Sequence, residues 1–543
     1  MKRLLSSVCV GVFLVAGAAA QQTPAVRMVN GASQFLVQGK PFLMLAGELG
    51  NSSAGTAAEA DTILPRLAGL HFNTVLMPVA WDEIEPQEGQ FDFSTPDHWI
   101  EVARREHMHL VFLWFGSWKN AFSEYAPAWV LANPQRFPRE ISADGIPLEI
   151  LTPLGAQTMQ ADARAFAALM RHVKATDAAQ QTVLMVQVEN EIGFLGVGGR
   201  DRSEAANRLF DGEVPAELVQ ALEANREKLR RDWAEQFNPA GKTWKAVFGD
   251  AADEAFMAWE YGRFVNTVAA AGKKEYPLPM YMNAQLPAPL EQAGSYPSGG
   301  PYPRDQAIYR AAAPAVDFYA PDIYWPDFED WIARYREQGN PAFVPEARMD
   351  QAPFNALDLF GGGRGFGFSP FAVDSIPEHG AADDPGSELS DEYATLSEMS
   401  DALIAAQAKN QTRALVLHAA NWRPTQTVAL GGYLFRASLA RSWPAMKLGE
   451  TDGSMLVLQS GENEFTVMGS GLRVEFLRDP DVDGQAAGIA GIEQMAWSDG
   501  KWVAARELNG DQSDQGRALL MDPHAFRVYR VRLYAIPRGQ ARP

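Results

Sequence analysis

Residues 182–193 read Thr-Val-Leu-Met-Val-Gln-Val-Glu-Asn-Glu-Ile-Gly. A run apolar on both faces suits a strand of a parallel sheet that helices cover on either side. It stops abruptly in a Glu-Asn-Glu tripeptide and a glycine. Similar short runs occur at Phe42–Ala46, Asn73–Pro78, Leu110–Phe115, Leu278–Asn283, Asp317–Ile323, Ala342–Pro345 and Gly365–Phe368. Between them lie helical patterns: Thr62–Leu70, a segment opening at Thr95-Pro96 with Thr95 as cap, Ala161–Val173 and Tyr393–Ala408. Eight strand–helix alternations predict an α/β fold, a (β/α)8 barrel of the TIM type with the 182–188 run as its fourth strand. An open doubly wound sheet is the competing fold. It calls for a glycine-rich phosphate turn after the first strand, and Gly47-Glu48-Leu49-Gly50 is not one.

The longest insertion, around 200–250, follows the fourth strand; Glu204–Trp233 is charged with helical spacing, and Asp253–Ala271 is a more apolar helix. Beyond Lys409 the pattern changes to alternating segments separated by turns such as Asp452-Gly453, Asp499-Gly500 and Asn509-Gly510. Arg413–His418, Thr427–Tyr433, Met455–Leu458, Glu464–Val467, Leu472–Phe476 and Val528–Leu533 predict a C-terminal antiparallel β-sandwich. The expected division is therefore 1–20 signal peptide, 21–410 barrel and 411–543 sandwich.

A basic Lys2-Arg3, an apolar stretch from Leu4 to Val15 and Ala18-Ala19-Ala20 have the layout of a cleaved secretory signal. An exported protein, periplasmic or extracellular, is expected, with no membrane segment in its mature form. Cys9 is the one cysteine of the chain and would leave with the signal, which excludes disulfides and thiol chemistry. Formal net charge is −20, so the surface repels phosphate backbones and nucleic-acid binding is not expected. The sequence does not settle the oligomeric state.

Most catalytic signatures are missing. Gly241-Lys242-Thr243 ends like a phosphate loop, but Gln236 stands where its first glycine belongs; the glycines at 361–367 lack dinucleotide spacing, and no Gly-x-Ser-x-Gly elbow occurs. His107 and His109 lack further ligands for zinc. No metal or organic cofactor is called for.

Two carboxylates remain. Glu191 ends the fourth strand with Asn190 beside it to hydrogen-bond a substrate, and Glu346 ends the seventh. In a closed barrel these ends face each other across the mouth where active sites form. A carboxyl pair about 5–5.5 Å apart is what retaining glycoside hydrolysis requires, one as proton donor and one as nucleophile.

Several motifs then resemble glycoside hydrolase family 35, the β-galactosidases, within the clan of retaining barrels that includes family 42. They are Gln187–Gly193, Gly39-Lys40-Pro41-Phe42 with Ala46-Gly47-Glu48, Trp81–Phe93 and Pro127-Ala128-Trp129-Val130. The nearest likeness is to a bacterial subgroup whose barrel precedes one β domain, some of whose members act on xyloglucan side chains. The resemblance implies Glu191 as acid/base, Glu346 as nucleophile and a carbohydrate substrate. By analogy with related barrels, Tyr324 hydrogen-bonds the nucleophile. An Ala-Glu-Trp sequence usual in the family after the third strand is replaced by Trp114-Phe115-Gly116-Ser117-Trp118-Lys119-Asn120. Lys119 and Asn120 are candidates to supply the missing contacts, or else face solvent. Glu48 and Asn283 end strands one and five and are further candidates for substrate hydroxyls. Trp81 and Trp118 either offer faces to a sugar ring or pack in the core, as does Trp114. Another retaining β-glycosidase, or a barrel that binds carbohydrate without cleaving it, are the competing functions.

Overall fold

The computed structural model describes residues 22–229, 235–377, 384–420, 425–440, 451–480 and 486–537. The signal-like segment and two tryptophans of the expected C-terminal sandwich, Trp422 and Trp443, lie outside them. A parallel sheet runs through strands β1 (Met44–Glu48), β2 (Thr74–Ala80), β3 (His109–Phe115), β4 (Val183–Val188), β5 (Met280–Gln285), β6 (Phe318–Ile323), β7 and β8 (Gly367–Phe368). Strand β7 has two halves, Phe343–Val344 and Glu346–Ala347, interrupted at Pro345, which has no N–H to give to a ladder. Its first half pairs with β8, its second half with β6, and β8 pairs with β1, so the sheet closes on itself. Each strand is followed by a principal helix. These are α1 (Ala57–Gly69), α2 (Ser94–Arg105), α3 (Ala156–Asp177), α4 (Ala252–Glu275), α5 (Gln306–Ala312), α6 (Phe328–Arg336), α7 (Ala352–Asp358) and α8 (Pro385–Ala408). The molecule is a TIM barrel, as the alternation of runs predicts.

Local departures have local causes. Helix α2 begins one residue before Thr95, and Phe93 takes the cap position. The charged Glu204–Trp233 stretch is not one helix: described segments Glu204–Phe210 and Ala216–Ala224 are separated by a turn that ends in Pro215, which opens the second. A three-stranded antiparallel sheet (Ala25–Val29, Ala32–Val37, Lys40–Phe42) precedes β1. Its Phe35 joins Met44, Leu76, Val111, Leu113, Met185, Tyr281 and Phe366 in one buried cluster, filling the barrel interior below the C-terminal ends of the strands.

From Thr412 the chain builds two antiparallel sheets of six and four strands. Leu415, Phe435, Val457, Phe465, Val474 and Val531 fill the space between them, the two-layer core of a sandwich. Leu456, Leu458, Met468 and Val528 point the other way and merge with the barrel's helical layer. Thr412 Oγ1 also donates to Gly361 O at 2.9 Å. One face of the six-stranded sheet thus braces the barrel. Trp497 and Trp502, cross-strand partners in this domain, meet edge to face at 5.4 Å. No helix among the described residues is long and apolar enough to cross a membrane.

Candidate active site

The C-terminal rim collects its polar groups from six strands. Alternation along β1 sends Met44 and Ala46 into the interior cluster, and Glu48 continues that face, 1% exposed. Along β6, Phe318 and Ala320 point inward, and Asp322 follows with the same parity. Asp322 is the register partner of Glu346 on β7. Strict alternation would send Glu346 outward with Val344; the break at Pro345 resets the parity and turns it in. On β4 the alternation is broken by backbone. Glu189 and Glu191 both adopt left-handed φ, 62° and 47°, conformations costly for residues with a Cβ. The first rotates Glu189 out of the barrel toward Asp162 of α3, and Glu191 turns back into the mouth.

The result is a compact acidic constellation. Glu191, Asp322 and Glu346 each place a carboxylate oxygen within 4.8 Å of the other two. Tyr324 donates its phenolic hydrogen to Glu346 Oε1. Asp322 Oδ2 accepts from Asn283 Nδ2 at 2.6 Å. Asn283 Oδ1 in turn accepts the Glu191 N–H at 3.0 Å, tying β4, β5 and β6 together. Such a triad has the spacing of a cation site, but two of its acids are engaged by Tyr324 and Asn283, and nothing beyond the acidic cluster points to an ion.

Lys119 supplies the positive charge. Asn120 and Ala121 both have positive φ, and Lys119 and Phe122 exchange both backbone hydrogen bonds, the geometry of a two-residue hairpin turn of primed type. This turn buries Lys119 to 2% exposure, with Nζ donating to Asn120 Oδ1 at 2.5 Å. Burial works against its charge, but Glu346, Glu191, Glu48 and Asp322 outweigh that and raise the ammonium pKa. The carboxyls respond in kind. Burial and then repulsion from Glu346 push Glu191 up to about 7. Burial, then Glu346, then Glu191 push Asp322 well up, and burial with Glu346 does the same for Glu48.

Four buried polar atoms on this rim have no protein partner: Glu48 Oε1, Asn190 Nδ2, Asp322 Oδ1 and Glu346 Oε2. Buried polar groups left unpaired are costly, and acceptors and a donor converging on one mouth suit a ligand rich in hydroxyls. Asn190 Oδ1 is already held by the Asn120 N–H at 3.2 Å, which aims its free amide.

The structure thus brings Glu191, Glu346, Asn190, Glu48, Lys119, Asn120, Asn283 and Tyr324 to one rim. Two expected substrate contacts are corrected. Trp81 is fully buried, its indole N–H on Glu85 Oε2 at 2.9 Å and its ring edge to face with Trp129. Trp118 is also fully buried, packed against Tyr261 and Phe264 with its N–H on Leu151 O. Both belong to the barrel–helix layer, as does Trp114. Asp322 was missed. Its signal was the period-two parity of β6, which sends every second residue inward.

A barrel with two facing carboxyls on its C-terminal rim holds the pair of groups that glycoside hydrolysis uses. Residues 54–248 match the family model Glyco_hydro_42, described as β-galactosidase. The matching model is therefore that of family 42, not of the family 35 that the motifs resemble. Residues 389–520 match a domain of unknown function, DUF5597. No curated protein matches the chain. Among solved structures, it is similar to a β-galactosidase from Bacillus circulans sp. alkalophilus (15% identity, TM-score 0.45, 67% of this chain and 57% of that one). It is similar also to a β-galactosidase from Halorubrum lacusprofundi (14%, 0.42, 65% and 58%) and a β-mannanase from Mytilus edulis (13%, 0.42, 68% and 96%). The chain thus spans under two thirds of the length of the first two.

Proposed function

We propose that the chain is an exported, retaining exo-β-galactosidase that removes terminal β-galactosyl residues from plant-type oligo- or polysaccharides, xyloglucan side chains among them. The carrying observation is the approach of Glu191 and Glu346 oxygens to within 4.8 Å. That is close to the spacing for direct attack on an anomeric carbon and short of the roughly 6.5–9.5 Å that an inverting enzyme keeps for a water. The β-galactosidase description of the matched family model supports the sugar, and within the clan the match favours family 42 over 35. The signal-like start supports export to the periplasm or beyond the cell.

Glu346, held by Tyr324, attacks the anomeric carbon. Glu191, kept protonated near neutrality by burial and by Glu346, gives its proton to the departing oxygen. It then takes a proton from the water that releases galactose. Lys119, Asn190 Nδ2 and Glu48 Oε1 are placed to meet hydroxyls of the glycone. The test is a β-galactoside panel that includes galactosylated xyloglucan oligosaccharides, with the anomer released first followed by NMR. β-Galactose appearing first is expected; α-galactose appearing first, or no galactoside cleaved, overturns the reading.

A further inference from the structure

A cavity of about 360 Å³ lies beside the catalytic rim, outside the ends of β5 and β6. Its lining includes Trp325, Trp331, Tyr302, Arg304, Arg334 and Asp327. Trp325 directly follows Tyr324, whose hydroxyl holds Glu346, and its indole N–H is fixed on Leu286 O at 3.1 Å, just past the end of β5. The pocket wall and the nucleophile's clamp are therefore consecutive residues of one loop. Both Tyr324 and Trp325 keep more than a third of their surface exposed, unlike the buried tryptophans of the helical layer.

The chemistry of the wall selects its occupant. Arg304 is spent on Glu254 and Asp305 and stacks near Tyr302. Arg334 lies over the Trp331 ring at 4.8 Å, and the exposed carboxylate of Asp327 stands at the start of α6. Two acids hold Arg304 and Asp327 offsets Arg334, so the wall has no surplus positive charge to recruit an anion. Aromatic surface with one donor and one acceptor group beside it is suited to the C–H face and hydroxyls of a neutral pyranose ring. The volume falls within the usual span for ligand pockets, about 300–1,000 Å³.

We propose that this cavity is a leaving-group subsite, taking a neutral sugar ring of the oligosaccharide from which the terminal residue is cut. The direction rests on the exo-galactosidase reading: the glycone sits against Glu48, Lys119 and Asn190, on the rim contributed by β1, β3 and β4. What extends past β5 and β6 is then the remainder of the substrate.

The test compares kcat/KM for a galactosylated xyloglucan oligosaccharide with that for 4-nitrophenyl β-galactoside, in the unaltered enzyme and in Trp325→Ala and Trp331→Ala. The ratio of oligosaccharide to aryl galactoside is expected to fall roughly three- to tenfold, through KM more than kcat. A ratio unchanged within about twofold in both variants, each folded by circular dichroism, overturns the subsite. Should the unaltered enzyme cleave neither compound, the galactosidase reading fails, and the cavity is judged by calorimetric titration with the same oligosaccharide; titration serves likewise if only the aryl galactoside is cleaved. Binding weakened in Trp325→Ala supports a sugar site there, whereas absent or unaltered binding removes it.

Discussion

Tyr324 fixes Oε1 of Glu346 with its phenolic hydrogen and leaves Oε2 without a protein partner. One carboxylate oxygen is thus anchored while the other is free to reach a sugar carbon. A hydrogen bond to an ionised group is worth about 1.5–3 kcal/mol, so Tyr324→Phe should slow formation of the glycosyl-enzyme roughly 10–100-fold. The rate of covalent labelling by a 2-fluoro galactosyl probe measures that step directly. Labelling of Tyr324→Phe at the unaltered rate would assign the tyrosine to structure alone, and labelling of Glu346→Ala at all would name another nucleophile.

Activity should fall on the alkaline side of neutrality. Glu191 titrates near 7 because it is buried and because Glu346 repels its charge, and a general acid works only while protonated. A descending limb of kcat/KM near pH 7 is expected for natural galactosides. Glu191→Gln should slow these substrates about 10²–10⁴-fold, while activated aryl galactosides, whose leaving groups need no proton, should lose less in the first step and lose the limb as well. A pH profile of Glu191→Gln that keeps the same limb would shift the assignment to Asp322 or Glu48.

The same shift makes a prediction about stability. Between the ordinary carboxyl value of 4.5 and about 7 the folded protein holds a proton on Glu191 that the unfolded chain has released. More protons bound in the folded state means that stability declines as pH rises through this window. Glu191→Gln removes the liability. Its advantage over the unaltered protein should be near zero at pH 4 and grow to at most about 3 kcal/mol at pH 8. Paired melting curves across that range check it, and a difference independent of pH would mean that Glu191 does not carry the burden.

Sequence made the strands legible because β4, buried on both sides, must be apolar throughout, and because its polar end at Asn190-Glu191 can only lie at the rim. Glu346 was legible for the same reason on β7. Trp81 and Trp118 misled because an indole looks alike in a sugar site and in a helical layer; what separates them is whether the ring keeps an exposed face, and both are fully buried. The left-handed turns at Glu189 and Glu191 could not be read, since neither is glycine and the strain is imposed by tertiary partners. The N-terminal three-stranded sheet went unread because only its last strand, Lys40–Phe42, abuts an apolar run.

One of those partners suggests the last test. Behind the rim, Asp162 accepts from Trp114 Nε1 at 2.9 Å and Ser117 Oγ at 2.5 Å, and Glu189 Oε2 accepts the Trp118 N–H at 2.9 Å. Burial raises both carboxyls, and Glu189, the more strongly raised, donates its proton to Asp162. Gly116 lets them meet, since a Cβ there would stand 2.8 Å from an oxygen of each acid. The pair pins the strained backbone that aims Asn190 and Glu191. Asp162→Ala strands three buried donors, Trp114 Nε1, Ser117 Oγ and the Glu189 carboxyl, and should cost at least about 2 kcal/mol and lower kcat as the β4 end relaxes. Glu189→Gln, which keeps an N–H to offer Asp162, should lose far less of both. Urea midpoints and kcat at pH 6 for the two variants decide the matter: an Asp162→Ala protein as stable and as fast as the unaltered one would show that the left-handed turns are held by something else.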